Sequence, residues 1–175
     1  MAIKDILIHP DPRLKAETSP VENIDESLKT LAADMLETMY AAPGIGLAAP
    51  QVGVMKQLLV MDCVKEEGAE PRPMVLINPK ITWGSEEMNT YEEGCLSIPD
   101  QYADVTRPAE VEVTWTSLEG EAMTERFDDL WATCVQHEID HLNGVLFIDH
   151  ISKLKRDMVI KKFTKLAKQR GGTRL

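Results

Sequence analysis

Residues 136–144 read QHEIDHLNG and put two of the chain's four histidines, His137 and His141, four positions apart. On an α-helix that spacing stacks both rings on one face, so their nitrogens converge on one point. Glu138 completes His-Glu-x-x-His, a pattern in which two imidazoles hold a divalent metal and the glutamate acts on water as a base. The plainer reading of the same residues is two partly buried histidines satisfied by hydrogen bonds, so the chemistry turns on a third ligand.

That ligand has no source downstream. The commonest extension of the motif supplies a third histidine where this chain has Phe147, which cannot bind a metal. A later glutamate is the other usual donor, yet after His141 the only acids are Asp149 and Asp157. Upstream, Cys95 in YEEGCLSIPDQ is the strongest candidate, because a thiolate suits zinc or iron. Two nitrogens and one sulfur leave a fourth tetrahedral position for water, and an open position points to catalysis rather than scaffolding. Cys63 and Cys134 read as small buried apolar residues.

The elements that must position these groups follow from periodicity. Residues 24–41 place Leu28, Leu31, Ala32, Met35 and Met39 at helical spacing, with Pro43-Gly44 beyond as a stop. Segments 57–63, 73–79 and 80–85 are short, apolar and bounded by breakers, the signature of strands. Alternation of Val111, Val113 and Trp115 within 109–127, with LEGE as a tight turn, predicts an antiparallel hairpin. A helix from about Asp129 to Leu142 puts Leu130, Cys134, His137 and His141 on one stripe and ends at Asn143-Gly144. A last helix, about 152–170, starts after Ser152 and carries Leu154, Met158, Phe163 and Leu166 on one side. The order implies one α+β domain over 1–175: mostly antiparallel sheets packed around the central helix, with an N-terminal and a C-terminal helix.

Three separated motifs, GIGLAAPQVG at 44–53, EGCLS at 93–97 and QHEIDHLNG at 136–144, together resemble the bacterial peptide deformylases over residues 3–168. The resemblance implies removal of the N-formyl group from nascent polypeptides that begin with formylmethionine. It implies one divalent metal on Cys95, His137 and His141, ferrous iron physiologically, with zinc, nickel or cobalt able to substitute. Glu138 is then general base and acid, and the side chain of Gln51 with the backbone N–H of Leu96 serves the oxyanion. Gly44 and Gly46 let the backbone approach an extended substrate. By resemblance Ile45, Leu130 and Cys134 line the methionine pocket, and Glu93 stands near it. Tyr102 occupies a position where a number of relatives have arginine, and Tyr91 and Thr133 replace aliphatic residues of some relatives.

Composition sets the wider bounds. Hydrophobic residues make up 43% and charged residues 27%, an ordinary globular balance, and no apolar run approaches the ~18 residues of a membrane span. Lys4 and Asp5 interrupt the first apolar residues, so a cytoplasmic protein, expected to be a monomer with reduced thiols, is implied. Residues 151–175 hold nine of the 19 basic side chains and a single acid, Asp157, a net +8; the remaining ten bases and 28 acids give −18. That basic segment is either a solvated helix face or a contact for polyanionic RNA, and for a nascent-chain enzyme the RNA is the ribosome's. The alternatives are a zinc metallopeptidase using the same motif on internal amides, and a metal-stabilised binding module without catalysis.

Overall fold

A computed structural model describes residues 2–169. Helix α1 (Glu26–Ala41) begins at Asp25, whose carboxylate accepts the Leu28 N–H at 2.9 Å and fills one orphan donor of the first turn. Strands β1 (Gly46–Ala48), β2 (Leu58–Met61), β3 (Met74–Gly84), β6 (Val111–Thr116) and β7 (Ala122–Phe127) form one antiparallel sheet in the order β1-β2-β3-β6-β7. Strands β4 (Met88–Cys95) and β5 (Ile98–Pro108) form a separate two-stranded ribbon. Helix α2 spans Asp129–Leu142, the bounds expected from its periodicity, and α3 spans Lys153–Gln169.

Strand β2 shows no polar alternation because both of its faces are covered. Leu58 and Val60 share a core with Leu28, Met35 and Met39 of α1, whereas Leu59 and Met61 share another with Ala132, Val135 and Ile139 of α2. The sheet therefore lies between two helices, and α2 is buried on enough sides that ten of its fourteen residues are inaccessible. A third core joins the ribbon to α3 through Leu14, Ile98, Val105, Phe147 and Phe163. The N-terminal segment stitches these parts together: Leu7 N–H donates to Gln51 O at 2.7 Å and His9 N–H to Ser97 O at 2.8 Å.

Several expectations change. Residues 73–79 and 80–85 are one strand, not two; the register against β6 shifts between Ile77 and Lys80, with Asn78 at φ 51°, so Pro79 falls in an irregularity where no ladder N–H is required. Strands β1, β4 and β5 were not among those expected. The apolar side of α3 also differs. Phe163 is buried as expected, but Leu154 and Met158 are 73% and 63% exposed, and the partly buried Val159 and Ile160 pack beside Phe163 in their place. Position 170, the end expected for this helix, lies outside the described residues, as does the rest of the basic segment through 175.

Candidate active site

Helix α2 delivers His137 and His141 side by side, with their Nε2 atoms 3.2 Å apart. The end of β4 brings Cys95 Sγ to 3.3 Å from His141 Nε2. An ion with ~2.0 Å bonds to nitrogen and ~2.3 Å bonds to sulfur sets tetrahedral donor atoms ~3.3–3.5 Å apart, so this set fits a single divalent metal. Among the described residues these three form the group able to hold one, their donor atoms all within 4.8 Å of one another. Phe147 stacks on His137 at 6.2 Å between centroids and completes the wall behind the ring instead of supplying a ligand.

The two metal-ligating histidines sit in opposite electrostatic surroundings. Burial alone would lower the His137 pKa, but the Cys95 sulfur and the Glu93 carboxylate overcome it and hold the ring well above its usual value. His141 goes the other way, pushed well below by burial and then by His137 and Arg107, which keeps its nitrogen lone pair available. Burial, the largest influence, pushes the Glu138 carboxyl up to about 7, within reach of proton transfer in both directions at neutral pH. Its Oε1 has no partner among the described residues. The other oxygen lies over Gly46: a Cβ there would come within 2.5 Å of Glu138 Oε2 and 2.9 Å of Cys134 Sγ. Cys134 is a protonated packing thiol, its pKa raised by its contact with Cys63 and then by burial.

Gln51 follows β1 in a 3-10 turn (Ala49–Val52) and is 1% exposed. Its Oε1 accepts the Ala48 N–H at 2.9 Å, which fixes the amide orientation and turns Nε2 toward Cys95 Sγ at 3.6 Å and Ser97 Oγ at 3.1 Å. Two amide hydrogens thus sit beside the metal-ligand set, one of them on a contact long enough to be redirected.

Behind the ligands lies an ionic network that is buried at Glu93 and Arg107 and reaches the surface at His150. Glu93 takes two hydrogen bonds from Arg107, at 2.7 and 2.9 Å, and stands 3.0 Å from His137 Nδ1. Arg107 also donates to Asp140 at 2.8 Å, and Asp140 meets His150 at 2.7 Å. Burial opposes ionisation of Glu93, yet Arg107 and His137 together keep its carboxyl below the usual range. A carboxylate on the far nitrogen of a ligating histidine fixes the tautomer and orients the ring.

Comparison with known proteins decides what this assembly belongs to. The polypeptide deformylase family model matches residues 3–157. The chain belongs to that family. It is 61% identical over 171 residues to the peptide deformylase of Rhizobium meliloti, covering 98% of each chain, and 56% identical over 175 residues to that of Brucella suis, covering 100% and 99%. The solved peptide deformylase of Legionella pneumophila superposes with a TM-score of 0.90 at 44% identity, covering 97% of this chain and 98% of that one. The Ehrlichia chaffeensis peptide deformylase in complex with actinonin gives 0.89 at 43%, covering 94% and 98%. The chain is accordingly an enzyme that removes the N-formyl group from nascent polypeptides.

In this deformylase a cleft of about 730 Å³ brings together Gly44, Ile45, Gly46, Gln51, Glu93, Cys95, Leu96, Leu130, Cys134, His137 and Glu138. His141 sits behind them, 1% exposed. Sequence reasoning did not find Arg107, Asp140 and Gln101. The one signal for Arg107 was an arginine in the buried phase of an alternating strand, opposite the strand that carries Glu93.

Proposed function

We propose that the chain removes the formyl group by hydrolysis assisted by one divalent metal held by Cys95, His137 and His141. When bound, that metal polarises the formyl oxygen and lowers the pKa of water toward ~7. Glu138, buried beside His137, takes the proton of the attacking water and passes it to the departing amine. Gln51 Nε2 and the Leu96 N–H donate to the oxyanion that develops on the formyl oxygen, one such donor contributing about 3 kcal/mol.

Strand β1 and strand β4 each end their sheet among the described residues, so an extended peptide can lie between them and take main-chain hydrogen bonds. Gly44 and Gly46 admit its backbone, while Ile45, Leu130 and Cys134 form an apolar floor for a methionine side chain, with Glu93 at its edge. The thiolate and two imidazoles suit ferrous iron as the working metal, with zinc, nickel or cobalt as substitutes. The chain acts as one catalytic domain, a cytoplasmic monomer, and its basic helix contacts the ribosome; equal co-sedimentation after deletion of residues 153–175 across a salt series would remove that contact.

The observation that carries the reading is the convergence of Cys95, His137 and His141 beside Glu138 and Gln51. Its test is formate release from formyl-Met-Ala-Ser, set beside an unformylated peptide of the same sequence. Internal cleavage of the second peptide without formate from the first would favour the zinc metallopeptidase alternative.

A further inference from the structure

Gln101 is 4% exposed and lines the same cleft, yet its Nε2 finds no hydrogen-bond partner among the described residues. A distortion of the ribbon sets its place. Gly94 pairs with Tyr102, whereas the next residue, Cys95, pairs with Ile98, so the register of the ribbon shifts between these two pairs. Asp100, between Ile98 and Tyr102, takes φ 65°, a left-handed conformation that a side chain-bearing residue rarely adopts. Bulges beside active sites re-aim a side chain, and this one presses Gln101 against the metal-ligand strand: its carbonyl lies 3.4 Å from where a Cβ on Gly94 would stand.

A buried carboxamide N–H with no acceptor is unfavourable, and few such groups survive in folded proteins without a reason. The Arg107 network does not use this one, and Gln51 already serves the ligand set. What remains unfilled nearby, among the described residues, is the outer edge of β4, where a peptide laid along the strand brings main-chain carbonyls. Gln101 stands beside Gly94, one position before Cys95. An extended chain whose formyl group lies at Cys95 advances ~3.3 Å per residue, so its first residue passes Gly94 and its second lies ~3.3 Å further on, within the span of the glutamine side chain that starts beside Gly94.

We propose that Gln101 is a substrate-binding residue whose Nε2 donates to the main-chain carbonyl of the second residue of the formylated peptide. The proposal rests on the deformylase reading and adds to it a reason for preferring peptides over formylmethionine alone.

The test compares formyl-Met-Ala amide, which has that carbonyl, with formyl-Met methylamide, which lacks it, on metal-loaded native enzyme and Gln101→Met. The expected result is a KM raised about tenfold for the first peptide, the scale of one lost hydrogen bond, with kcat held and no change for the second. A KM that rises equally for both peptides, or for neither, overturns the assignment. Should native enzyme release no formate from either peptide, the deformylase reading falls instead. If Gln101→Met does not fold, the native zinc-loaded protein answers by nuclear magnetic resonance. The Gln101 side-chain amide signals should shift on addition of Met-Ala amide and not with Met methylamide, and unchanged signals with both overturn the proposal.

Discussion

Glu93 Oε1 lies 3.0 Å from His137 Nδ1, on the side of the ring that faces away from Cys95 and His141. No such partner meets the corresponding nitrogen of His141, whose Nδ1 is buried and unpaired among the described residues. The two histidines are therefore held differently on the side away from the ligand set, one by a carboxylate that Arg107 clamps and one by packing. Replacing Glu93 with Gln should lower metal affinity about 10- to 100-fold, read from competition with a chelator, because the carboxylate that orients His137 is gone. Affinity equal to native would mean that packing suffices for His137 as well.

Arg107→Met should be worse for the fold than Glu93→Gln. It leaves the Glu93 carboxylate buried beside the site with its strongest partner removed, at a cost of about 3–5 kcal/mol. Denaturant unfolding of the metal-loaded proteins measures this, and a double variant, Arg107→Met with Glu93→Gln, should recover part of the loss. A double variant no more stable than Arg107→Met would show that the ionic pair is not the reason for it.

Substitution of Glu138 separates binding from chemistry. Glu138→Gln keeps the shape over Gly46 while removing the proton carrier, so metal content should stay at native level and kcat fall about 10²–10⁴-fold. Loss of metal in parallel with activity would make Glu138 a support for the site and leave the proton transfers without an agent.

Gly46→Ala probes the same contact from below. Its Cβ would stand 2.5 Å from Glu138 Oε2 and 2.9 Å from Cys134 Sγ, both closer than a Cβ tolerates, and the carboxylate has the further to move. Overpacking of this kind costs about 1–3 kcal/mol, and the displaced carboxylate should depress kcat well beyond any change in melting temperature. A variant with native kcat would show that the loop yields instead.

The parts of this site that were legible in the sequence are those made by local spacing. His137, Glu138 and His141 stand on one helix whose stop, Gly144 at φ 73°, is visible as Asn-Gly. Cys95 followed from eliminating downstream donors. The ribbon that carries Cys95 was not visible, because residues 88–108 are half-exposed and acidic, with a register shift that breaks the period. Arg107, Asp140 and Gln101 depend on pairings 14 to 33 residues apart or on a bulge, and no local pattern encodes these. The face of α3 is legible only at Phe163, because Leu154 and Met158 look like core residues while the packing selects Val159 and Ile160 beside Phe163.

Asp149 links pH to stability away from the metal ligands. Burial opposes its charge, but the Lys15 ammonium and the Leu146 N–H that it accepts at 2.9 Å, with Arg156 nearby, outweigh burial and hold its carboxyl below the usual range. A group whose pKa is depressed in the folded state contributes stability that is fully present above its unfolded value, ~3.9, and lost as pH falls through the folded value. Asp149→Asn removes that contribution, so the native protein should exceed the variant in melting temperature by about 2–4 °C at pH 7, the scale of ~1 kcal/mol in a chain of this size. The gap should narrow as pH drops below ~4, because the native carboxyl is then neutral too. Thermal scans of both proteins from pH 7 to pH 3 measure it. A gap independent of pH would assign the loss to the shape of the 3-10 turn at Phe147–His150 rather than to the charge on Asp149.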